Sequence, residues 1–185
     1  MFRCVVMDVD RIRTLLHSVA SVDGGDGVAL VSVDEHSGAS IFEPLHLLTL
    51  TADTARSLRL PPRHDPDLPR PDTPEGLVSV LRPAGLSASR LSELLVAMCT
   101  SDMEFRTPSS PWSSAAAGRA IEQTMDALGP YASWWTNCDF SFAESWENGW
   151  PDVWAFNPVT RHTSSLALAG VGTDIIVTFL TFHDG

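Results

Sequence analysis

The sequence predicts an α+β fold in which a C-terminal antiparallel sheet packs against two or three helices. Three observations carry that reading. The last long apolar run, Asp174 to Phe182, is apolar on both faces, as a central strand covered above and below must be. The connections between the C-terminal segments are too short for helical crossovers, which leaves antiparallel pairing. Two well-punctuated helical stretches, around Leu91–Met98 and Ile121–Leu128, precede these strands and supply a layer to cover one face. A chain of 185 residues with 44% hydrophobic content suits one domain over 1–185.

Phe2 to Met7 is short, apolar and partly β-branched, the pattern of a strand. Asp8-Val-Asp10 then opens a helix with Ile12, Leu15, Leu16 and Val19 at helical spacing. Asp8 suits its N-cap and Asp10 the positive end of its dipole. Gly24-Gly25-Asp26-Gly27 turns the chain into a strand over Val28–Val33. Leu45 to Leu50 is a further strand candidate, followed by a short helix from Thr51 or Asp53 to near Leu60.

From 61 to 76 the composition changes, because six of the thirteen prolines fall there. Proline at that density removes backbone donors, so this segment is expected to be an exposed loop. A ligand for a polyproline-reading partner is its other use, and a spacer is the reading adopted. Ser87 or Ser89 caps the next helix, with Leu91, Leu94, Leu95 and Met98 on one face. Ser110 at N-cap and Pro111 at N1 start another, which Gly129-Pro130 stops. Tyr131–Phe140 and Pro151–Phe156 read as strands around a Trp-rich turn. Asn157-Pro158 turns into Ser164–Ala169, and Gly170-Val-Gly172 into the last strand.

The net charge is -11, and residues 77–185 hold eleven acids against five arginines. That half is the stronger source of a negative field able to steer a basic partner. All twelve basic residues are arginine. Schiff-base, P-loop and kinase-type lysine chemistry is therefore excluded. Cys4, Cys99 and Cys138 form no C-x-x-C and leave an odd count, as expected of reduced thiols in a cytoplasmic protein. No apolar run approaches a membrane span, so neither a membrane nor a signal-peptide role is expected.

An apolar strand followed by Asp8-x-Asp10 resembles, over these few residues, the first motif of haloacid-dehalogenase-type phosphatases. The resemblance implies a nucleophile at Asp8 and an acid at Asp10. Arg11-Ile12-Arg13 replaces the glycine and threonine that should follow, and that family's third-motif lysine has no counterpart. Helix capping accounts for both aspartates. For metals, Glu43-x-x-His46 has helical i, i+3 geometry, and His64-Asp65, His162 and His183-Asp184 add donors. No spaced pair such as H-x-x-x-H appears, so no metal or other cofactor is expected. Cys138 with His162 or His183 would suit nucleophilic chemistry, but neighbouring acids raise a thiol's pKa and aromatic neighbours suggest packing.

Tyr131 to Trp154 holds five of the six tryptophans and four carboxylates without an arginine. Trp134 or Trp135 and Trp154 are expected in the core, because tryptophan is highly buried on average. Trp146 and Trp150 lie in a polar turn and are the candidates for exposure. With Glu144, Glu147, Asp139 and Asp152 they form the candidate partner-binding site. Rings beside uncompensated negative charge suit a cationic guest and repel nucleic acid. The expected function is that of an acidic binding protein without catalytic activity, an inhibitor or immunity-type protein masking a basic partner such as a nuclease toxin. The alternative is a small hydrolase, either Cys/His or glycosidase-like with Glu144, Glu147 and Asp152 as its carboxyls. A ligand-sensing module with a Trp-lined cleft is a third class.

Overall fold

The computed structural model describes residues 9–20, 29–36, 42–59 and 70–184. The expected strand over 2–7, the cap at Asp8 and most of the Pro-rich loop lie outside them. The α+β class is as the sequence predicts: a five-stranded, wholly antiparallel sheet is covered by helices. The interior strand β9 (Ile175–His183) lies between β1 (Leu30–Glu35), at one edge, and β8 (Ser164–Val171), at the centre. Beyond β8 come β3 (Ser133–Thr136) and the two-residue β2 (Arg82–Pro83).

Alternation along β9 builds two cores. Ile175, Val177 and Phe179 join Val31, Val33, Leu166 and Leu168 beneath α1 (Val9–His17), α4 (Ala88–Thr100) and α5 (Ser114–Leu128). Leu180 and Phe182 face the other way, with Leu30 and Ala167, towards α2 (Glu43–Arg59) and α3 (Pro74–Val80). The two middle helices share one face, as expected, while α2 and α3 cover the second.

Several local readings are corrected. Residues 45–50 are not a strand but the first half of one continuous helix, α2. Thr49, Thr51 and Thr54 bond back to carbonyls three or four residues earlier, which removes the conflict threonine otherwise brings to a helix. Leu45, Thr49, Ala52 and Arg56 then form its buried stripe. α3 begins inside the expected loop, where the Thr73 side chain accepts the Gly76 amide. The cap of α5 is Ser113, which accepts the Ala116 amide at 3.2 Å, whereas Ser110 accepts the Trp112 amide in the preceding turn. β8 runs through Gly170 instead of ending before it. A Cβ there would stand 2.6 Å from the ring of Trp134, its register partner on β3.

Between β3 and β8 the chain leaves the sheet for 138–156 and returns. Asn137, fully buried, holds the point of departure. Its Nδ2 donates to the carbonyls of Asn157 and Ser165 at 2.8 and 2.9 Å, and its Oδ1 accepts the Ala167 amide at 2.7 Å. The Asn157 amide donates to the Asn137 carbonyl at 2.9 Å, so both ends of the excursion are joined. A side-chain amide here replaces ladder bonds that the departing backbone cannot make.

Candidate functional site

The excursion is folded from two minimal ribbons. β4 (Cys138–Asp139) pairs with β7 (Ala155–Phe156), and β5 (Trp146–Glu147) pairs with β6 (Trp150–Pro151). Asn148 and Gly149 connect β5 to β6 with φ of 52° and 84°. Two successive left-handed residues are what a two-residue type I′ hairpin requires, and Asn-Gly is its preferred sequence. The tip presses on α4: a Cβ at Gly149 would meet the Glu93 carbonyl and stand 2.9 Å from the Ala97 Cβ.

Trp150, expected on an exposed rim, is instead completely buried. Its Nε1 donates to Ser101 Oγ at 2.8 Å, at the C-terminus of α4, and its ring stacks on Trp154 at 6.3 Å. A polar turn can hold a core tryptophan because β6 turns its ring back beneath α4, where Ser101 satisfies the indole N–H. Trp150 is therefore an anchor for the excursion. Trp146 is half-buried against Phe140, with the Arg90 guanidinium 5.4 Å from its ring centroid. The cation–π position is thus occupied from within the chain, and Arg90 also pairs with Glu93 at 2.9 Å.

The four carboxylates divide into two pairs. Asp139 accepts the Ser141 amide and pairs with Arg82 at 2.5 Å. Those bonds, Ser141 foremost, hold its carboxyl below the usual aspartate range. Asp152 accepts the amides of Glu144 and Val153 and the Ser145 hydroxyl at 2.9–3.1 Å. Partial desolvation would raise it, but these donors outweigh that and lower it. Arg106 Nη2 donates to the Asp152 carbonyl at 2.9 Å. Glu144 and Glu147 are exposed and have no ion pair among the described residues.

Sequence reasoning missed the apolar part of this surface. Phe142 is 60% exposed, Val153 49% and Phe156 36%, all within the excursion. Phe142 stands two residues before Glu144, Val153 follows the Asp152 that accepts the Glu144 amide, and Phe156 pairs with Cys138 in the β4–β7 ribbon. Phe142 lies in the Trp-rich segment and Phe156 two residues beyond it, and neither carries a local sequence signal for exposure. Exposed aromatic and β-branched groups near unpaired acids form a surface that can exclude water over its middle and attract cations at its edge.

The other candidates are not assembled. Cys138 is buried and its thiol contacts Asn137 Oδ1; burial, foremost, pushes its pKa far up. His162 Nδ1 faces Asp184 at 2.9 Å and Nε2 the Ala52 carbonyl at 3.2 Å, so its ring is engaged elsewhere. His183 pairs with Glu104 and lies edge-on to Phe105. Cys99 is pushed up to about 12 by burial in the α4 core. Asp10 sits in the first turn of α1 beside Arg13, whose Nη2 donates to the Val33 carbonyl at 2.7 Å. Among the described residues, no three His, Cys, Asp or Glu side chains are grouped to hold a metal ion. No helix among them is long and apolar enough to cross a membrane. The chain gives no significant match to any protein-family model, curated protein or solved structure.

Proposed function

We propose that this chain is an acidic, non-enzymatic binding protein that masks a basic protein partner with the outer surface of its 138–156 excursion. The carrying observation is the exposure of Phe142, Val153 and Phe156 in the same excursion that holds the exposed, unpaired carboxylates of Glu144 and Glu147. The aromatic groups would supply desolvated contact, and the glutamates the attraction that speeds encounter. Trp146 is covered by Arg90 and packs on Phe140, and Trp150 contributes by holding the excursion in place. Asp139 and Asp152 shape the excursion from within.

An inhibitor of the immunity type, working in the cytoplasm, is the form of this function that the charge balance suits. A nuclease toxin fits as its target because such an enzyme keeps a positive surface to hold phosphates. The free, buried thiols of Cys99 and Cys138 accord with a reducing compartment. For the hydrolase alternative, a general acid needs a raised carboxyl, and Asp152, held low by its donors, does not fit that role.

A pull-down at low salt tests the proposal with three variants beside wild type. Wild type and the charge-matched control Glu35→Gln/Asp174→Asn are expected to retain one basic protein. Glu144→Gln/Glu147→Gln and Phe142→Ser/Phe156→Ser are expected to weaken its retention at least tenfold, since central aromatic contacts typically contribute about 2 kcal/mol or more. Recovery of no basic protein, or equal retention by all four forms, would refute it.

A further inference from the structure

On the α4/α5 side of the sheet, away from the excursion's residues, a cleft of about 360 Å³ opens between α4, α5 and β3. Its size falls within the range of small-molecule sites, roughly 300–1,000 Å³. Leu86, Leu91, Met125 and Pro130 line it with apolar surface, Trp134 adds an indole, and Asp126 is its one charged group. The indole lies against Gly170, where an added Cβ would stand 2.6 Å from its ring.

Asp126 is placed where its own helix opposes it. It stands in the last turn of α5, which contains no basic residue, so its charge meets the negative end of the helix dipole. Glu122 lies one turn earlier on the same face, a like charge at i, i+4. Both are exposed, and among the described residues neither has a hydrogen bond or ion pair through its carboxylate. Local electrostatics therefore gain nothing from this acid, while a bound cation would gain from it.

We propose that this cleft binds a small organic cation with an apolar body, of the arylalkyl-ammonium class. The ammonium group donates charge-assisted hydrogen bonds to Asp126. The apolar body packs against Leu91 and Met125 and beside the Trp134 indole, whose π-system also attracts the charge. The site shares no residue with the protein-binding surface and stands whether or not that reading holds.

Titration with phenethylammonium, against its neutral counterpart 2-phenylethanol, tests the assignment by amide and indole NMR shifts. Phenethylammonium is expected to shift the signals of Met125, Asp126 and Trp134 saturably, and the alcohol to bind at least tenfold more weakly. Asp126→Asn is expected to weaken the ammonium about tenfold, the worth of one charge-assisted bond, and to leave the alcohol unchanged. That variant should fold at least as stably as wild type, because it relieves the clash with Glu122 and the dipole. The absence of saturable shifts in the millimolar range, equal binding of amine and alcohol, or an unchanged affinity in Asp126→Asn would each overturn the proposal. Shifts confined to Phe142–Phe156 would do the same.

Discussion

Asp184 takes two donors at the end of β9. Arg56 Nε reaches one oxygen at 3.0 Å and His162 Nδ1 the other at 2.9 Å. The Arg56 side chain is only 6% exposed, so its charge depends on this partner. Both ring nitrogens of His162 face oxygen acceptors, the Asp184 carboxylate and the Ala52 carbonyl. Phe182 stacks on that ring at 4.0 Å. Burial alone would raise the Asp184 carboxyl, but Arg56 and His162 outweigh it and hold it below the ordinary value. A depressed folded pKa contributes stability above the unfolded value of about 4, and that stability is lost as pH falls through the folded pKa. Asp184→Asn is accordingly expected to lower unfolding stability at pH 7 by roughly 2–4 kcal/mol, the cost of leaving a sheltered arginine unpaired. Urea unfolding from pH 7 down to pH 2 should also show a flatter acid limb in the variant. Equal slopes in the two proteins would mean that Asp184 contributes no ionised-state stability. Little of this network was legible beforehand, since Arg56, His162 and Asp184 come from three distant points of the chain and none carries a local signal.

At the level of elements, what could be read in the sequence was what is enforced locally. Ser87, with the apolar stripe that follows it, gave α4, and Gly129 at φ 84° stopped α5. The doubly apolar run of β9 demanded two covering layers and received them. Where two local rules competed, the wrong one was favoured. In α2, closely spaced leucines and threonines resembled a strand because the back-bonds of Thr49, Thr51 and Thr54 are invisible in sequence. The Asn148-Gly149 pair was a readable hairpin signal, but its strands are two residues long and show no alternation. That hairpin yields a sharp expectation. Gly149→Ala should cost about 2–4 kcal/mol, combining left-handed strain with a Cβ driven into the backbone of α4. Asn148→Gly should change stability by less than about 0.5 kcal/mol, as glycine accepts the same turn. Denaturant midpoints of the two variants measure this, and a tolerated Gly149→Ala would show that the tip is not seated on α4.

For the whole molecule, the sheet is a scaffold and the excursion the part it presents. Asn137 and Asn157 close its base, the Gly149 turn seats its tip, and Trp150 pins its middle to Ser101. The candidate site was half legible for that reason. Composition marked the right segment and its excess of acid, but which tryptophan faced inward was decided by Ser101, 49 residues away. The inward turn of Trp150 leaves Phe142, Val153 and Phe156 as the exposed large apolar groups of the excursion, and would hold a segment with few ladder bonds in place, so that the proposed binding would carry no large ordering cost. Native-state hydrogen exchange tests that claim most directly, at the amides of Glu144, Asp152 and Asn157. In wild type these should be protected, and Trp150→Phe, which removes the indole donor, should speed their exchange by roughly tenfold while sparing β9. Wild-type amides exchanging at the rate of an unstructured peptide would contradict a rigid excursion, and with it the surface on which the proposed function depends.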